Sequence, residues 1–172
     1  MTIKEARYRP LGDSERRNIV AYMSALLPVA TPSANHPMRK IARSQIAWAM
    51  WRWTADGVSI SSNEVQQDAY KYDVATLACT REARERSQTT KKGLRHEHIV
   101  PRMILADEII SQGMAQDLIF ELLSRFCEAI IVTKEEDALL TRSSMPEGWN
   151  FKTGCKYARY RVANLFNQIE FK

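Results

Sequence analysis

The octapeptide Arg95-His96-Glu97-His98-Ile99-Val100-Pro101-Arg102 gathers two of the chain's three histidines, a carboxylate and two guanidinium groups. Imidazole titrates near neutrality and serves as a general base or a metal ligand. A carboxylate holds hard divalent cations, and arginines neutralise phosphodiesters. The spacing admits more than one arrangement. On a regular strand, residues two apart share a face, so His96 and His98 could bind one metal while Glu97 points away. An irregular strand end would instead let Glu97 and His98 serve one site. Both imidazoles could also simply hydrogen-bond structural neighbours. His36, between Asn35 and Pro37, reads as a loop histidine.

A second stretch, Ile130-Ile131-Val132-Thr133-Lys134-Glu135-Glu136-Asp137, places a β-branched run before a helix start. Thr133 and Glu136 have capping-box spacing. Together, Glu97-His98-Ile99-Val100-Pro101 and this second stretch resemble the two halves of the HNH (ββα-metal, His-Me finger) endonuclease motif over residues 95–140. The resemblance implies metal-dependent hydrolysis of DNA phosphodiesters. His98 would be the catalytic base that deprotonates water, and Glu97 and Asp137 would hold one divalent cation. Carboxylate ligands make magnesium or manganese the expected ion rather than zinc. Glu128 and His96 would support these ligands from behind, and Arg95, Arg102, Lys91 and Lys92 would bind phosphates.

The chain departs from that pattern in three ways. Glu128 stands where an asparagine is expected, and Asp137 stands where a terminal histidine is common. A long helical stretch also separates the halves. These departures motivate a rival expectation: a catalytically inactive HNH-like scaffold that binds nucleic acid or a protein partner, of the kind carried by phages or mobile elements. DNA is the favoured partner in either case. A metalloenzyme of other chemistry, using His96 with His98, is the third expectation.

Composition supports a globular chain with a real core: 172 residues, 45% hydrophobic and 26% charged. The net charge of +5 and the pI near 9.2 favour phosphate-rich partners without requiring them. Basic residues concentrate at Arg81, Arg84, Arg86, Lys91, Lys92 and Arg95, running into the histidines, and again at Lys152, Lys156, Arg159 and Arg161. Cys79, Cys127 and Cys155 show no metal-ligand spacing and read as free thiols. No apolar run suits a membrane span and the N-terminus lacks a secretory pattern, so a cytoplasmic protein without membrane contact is expected.

These groups must be positioned by a fold that the sequence predicts to be mainly α. A helical region over 1–90 would precede an HNH-like region over 91–172, with a small embedded ββα unit of two short strands plus a helix. Helices are predicted from Asp13 to Leu27, ended by Pro28, from Met38 to Ala55, and from Val65 to about Gln88. Further helices are predicted after Pro101, over 115–129, over 134–140 and near 157–166. The strands are the residues before Pro101 and residues 130–133. Trp48, Trp51 and Trp53 could stack bases, but their large apolar area favours core packing.

Overall fold

The computed structural model describes residues 7–31 and 37–172, so His36 lies outside the described residues. The expectation of a mainly helical chain is corrected: the fold is α/β, with seven α-helices against a three-stranded and a four-stranded sheet among the described residues. Helix α1 spans Asp13–Ala30 and carries Pro28 in its final turn instead of ending there. Its first turn is closed by Glu15, whose Oε2 accepts from the Gly12 amide at 2.9 Å. Helix α2, Arg39–Ala55, packs along α1 and buries Ala42, Ile46, Ala49, Met50 and Trp53, positions three or four apart that form one face. Helices α4 (Arg102–Gln112) and α5 (Gln116–Phe126) close on this pair through Leu105, Ile109, Ile119 and Leu123. Gly113 ends α4 in a left-handed conformation, φ 54°, which only glycine adopts without a Cβ penalty.

Strands β1 (Tyr8–Pro10), β2 (Gly57–Ser59) and β3 (Val65–Gln66) form the small antiparallel sheet. The larger sheet has the order β5-β6-β4-β7, from Leu94–His98, Ala129–Thr133, Ala78–Thr80 and Ile169–Glu170. β5 and β6 pair antiparallel from Leu94↔Thr133 to His98↔Ala129, while β4 runs parallel to β6. β4 belongs to the first half of the chain and its sheet partners to the second. Helix α6, Lys134–Asp137, leaves β6 through a complete Thr133/Glu136 capping box. The remaining helices are α3, Arg81–Ser87, and α7, Ala158–Val162.

The helix expected from Val65 to Gln88 is replaced by β3, a series of turns, β4 and only the last two turns of helix, α3. Strands of two or three residues show no alternation that periodicity can detect, and that is where the sheets were hidden. Gly57 fixes the corner between α2 and β2. A Cβ there would lie 2.8 Å from Tyr70 Cε2 and 3.2 Å from the Arg9 carbonyl oxygen. Gly57→Ala should therefore cost about 1–3 kcal/mol from overpacking, read as a lowered urea midpoint. An unchanged midpoint would show that the corner yields freely.

Candidate nucleic-acid interface

β5 is the edge strand of its sheet, and its side chains alternate as a regular strand requires. His96 and His98 fall on one face and are buried against α2, with ring centroids 5.4 Å apart. Their Nε2 atoms converge on the Thr54 hydroxyl at 2.9 and 3.0 Å. His96 Nδ1 lies 3.1 Å from the Lys71 carbonyl, so it is the protonated nitrogen, and its Nε2 accepts from Thr54. The Thr54 oxygen then accepts from His98 Nε2, which also sits 3.3 Å from the Met50 carbonyl. Burial pushes His96 down to about 4 and His98 well below the ordinary imidazole value, with Arg102 acting on both in the same direction. Both rings are therefore neutral at physiological pH. The lone pair left on His98 is on Nδ1, for which the described residues provide no hydrogen bond.

Glu97 leaves the opposite face of β5. Its Oε1 accepts from Arg159 Nη2 at 2.5 Å, and burial still raises its pKa despite that pairing. Arg159, fully buried, donates from the same nitrogen to the His98 carbonyl at 2.6 Å, from Nε to the Ile99 carbonyl at 3.3 Å, and from Nη1 to the Thr141 carbonyl. Asp137 is close enough to raise the Glu97 pKa but forms no hydrogen bond or ion pair with it. Glu128 is taken up by Lys156 and Tyr157, away from the histidines. Lys91, Lys92 and Arg95 are exposed, and Arg95 reaches only the Leu94 carbonyl, at 3.1 Å.

These donors do not fit a divalent cation. Glu97 is already paired with a guanidinium, the histidines lie on the other face and hydrogen-bond Thr54, and no group of three His, Cys, Asp or Glu side chains among the described residues is arranged to hold a metal.

What the fold does build is a cleft of about 390 Å³ along the free edge of β5. His96, Glu97 and His98 of β5 line it together with Trp48 and Trp51 of α2 and with Arg102 and Arg142. Neither arginine has an ion-pair partner among the described residues. Arg102 lies partly buried with its guanidinium 5.5 Å from the Trp51 ring and donates only to the Ala47 carbonyl, at 3.3 Å. Arg142 and Ser143, which also line the cleft, are exposed. Comparison with protein-family models, with curated proteins and with solved structures finds no match.

The three tryptophans divide. Trp53 is buried against Phe120 as the area argument requires. Trp51 is half-buried, its Nε1 donating to Asp68 at 2.7 Å and its ring 4.8 Å from His96. Trp48 is 45% exposed, a large ring left in solvent at the cleft. This corrects the expectation of core packing for Trp48: the residue lies with Ile41, Gln45 and Arg52 on the outward face of α2, and helix periodicity overrides the area argument there. Arg159 belongs by sequence to the basic run Lys152, Lys156, Arg159, Arg161, yet it is buried, and no local pattern distinguishes it from its neighbours.

Proposed function

We propose that the protein binds nucleic acid, with the phosphate backbone lying in the cleft along β5. The observation that carries this reading is the pair of unpaired guanidinium groups, Arg102 and Arg142, in one concave site walled by Trp48 and Trp51. Burial disfavours the charge of Arg102 more than the nearby Glu97 carboxylate restores it, and a phosphodiester supplies both charge and acceptor oxygens. The neutral histidines add no competing charge, and Ser143 adds a hydroxyl donor. DNA is the partner favoured by this chemistry together with the net positive charge. The reading corresponds to the non-catalytic expectation, a scaffold that binds nucleic acid, and what supports it is the cleft. No helix among the described residues is long and apolar enough to cross a membrane.

Fluorescence anisotropy with labelled DNA tests this directly. Arg102→Ala should weaken binding about tenfold and reduce the salt slope by about one. Undetectable binding at low salt, or an unchanged affinity and slope in the variant, would sink the reading.

Phosphodiester cleavage in the same cleft is a second reading, favoured by the neutral His98 with its unengaged Nδ1 beside the phosphate cations. That nitrogen could take a proton from a hydroxyl or water entering the cleft. Nicking of supercoiled DNA by the wild type, lost in His98→Ala with binding retained, supports cleavage. Absence of nicking with or without added magnesium supports binding alone.

A further inference from the structure

We propose that the groove between α1 and α2 is a nucleobase pocket, seating a base of the strand whose phosphates occupy the β5 cleft. This deepens the nucleic-acid reading and rests on it. The groove has a volume of about 330 Å³, with apolar walls from Leu11, Ile19, Ala49 and Val65. Its two carboxylates, Glu15 and Asp56, are each neutralised by an arginine, Arg9 and Arg52. Trp48 borders this groove and the β5 cleft alike, so one strand can pass from phosphate site to base site across a single side chain. The rim is open, with Trp48 45% and Val65 52% exposed.

The chemistry of the groove selects a flat ligand with a polar edge. The Arg52 guanidinium lies 4.5 Å from the Trp48 ring centroid and is held by Asp56 at 2.8 Å, so it forms a fixed planar surface. Bases stack on aromatic rings and on guanidinium planes alike. Asn18 sits at the rim, exposed, and its side-chain amide makes no hydrogen bond among the described residues. An amide presents a donor and an acceptor side by side, the pattern that pairs with adenine. A base enters such a pocket only when it is out of the duplex stack, so the ligand is single-stranded and adenine is the preferred base.

The test uses the full chain and three labelled strands of equal length: oligodeoxyadenylate, oligodeoxycytidylate and an abasic strand. The adenylate strand should bind about tenfold more tightly than the abasic one, the size of one base stack. Val65→Trp fills the groove and should bring adenylate down to the abasic affinity, leaving abasic binding unchanged. Asn18→Leu, at an exposed helix position that does not threaten folding, should erase the preference for adenylate over cytidylate. Equal binding of adenylate and abasic strands by the wild type, with both weakened by Arg102→Ala, overturns the base pocket and leaves the phosphate cleft standing. No binding of any strand overturns both.

Discussion

Replacing Arg159 with leucine is expected to lower the unfolding free energy by about 3–5 kcal/mol, the cost of breaking a buried ion pair from one side. Arg159 has no exposed side-chain surface, and its guanidinium satisfies the Glu97 carboxylate and the carbonyls of His98, Ile99 and Thr141. Those partners fix the end of β5 to the segment that follows α6, whose Arg142 and Ser143 line the same cleft. Leucine supplies apolar volume but no donor, leaving three carbonyls and a carboxylate short of partners in a poorly solvated site. Glu97, already raised in pKa by burial, would then lose the guanidinium that favours its charged form and would take up a proton more readily or drag water inward. Glu97→Gln in the Arg159→Leu background should recover part of the loss, because a neutral amide is cheaper to bury than an unpaired carboxylate. Urea denaturation of the two variants measures both effects. A loss below about 1 kcal/mol in Arg159→Leu would show that the strand end is held by packing rather than by this guanidinium.

Arg159 also marks the limit of what local sequence could reveal. The Thr133/Glu136 capping box, the strand at 129–133 and the strand before Pro101 follow from residue types within a few positions, and each forms. The outward face of α2 is less legible, because the apolar area of Trp48 argues inward while its helical position, in line with Ile41, Gln45 and Arg52, turns it outward. By contrast, β1, β2, β3, β4 and β7 are two or three residues long, and what makes them strands is their partners. Cys79 pairs with Ile131 on one side and Glu170 on the other, a juxtaposition of three distant segments. The alternation of β5 was readable in principle, since a regular strand sends Glu97 away from both histidines. The HNH resemblance requires the opposite, a strand end that turns Glu97 and His98 toward one cation. The continuous pairing of β5 with β6 through His98 decides for the regular strand. Both residues nevertheless border one cleft, because β5 is an edge strand and the cavity wraps around its free side. Whether β5 is an edge or a centre is a property of the whole sheet and has no local signature.

Acidification is expected to destabilise the protein through the two histidines behind that cleft, by roughly 3 kcal/mol from His96 alone. The ordinary imidazole value of 6.5 falls to about 4 in the fold, because burial disfavours the charged ring and the Arg102 and Lys71 cations add to that effect. The Lys71 carbonyl and Asp68 pull the other way without reversing it. A folded value below the unfolded one means that the unfolded chain binds the proton first. The stabilisation is therefore complete above pH 6.5 and is lost as the pH falls from there through about 4. His98 contributes in the same direction, since burial, His96 and Arg102 all oppose its charging. Carboxylates titrate in the lower part of this window, so the diagnostic is a difference between proteins. His96→Asn keeps a donor for the Lys71 carbonyl but cannot ionise. Its urea midpoint should resemble the wild type near neutrality and fall less steeply on acidification. Parallel pH profiles for the two proteins would show that His96 is not held neutral by the fold. A steeper wild-type profile locates the acid sensitivity in the Thr54–His96–His98 network. It would also predict weaker integrity of the phosphate cleft under the same conditions, because the charged rings would repel Arg102 from the wall they share.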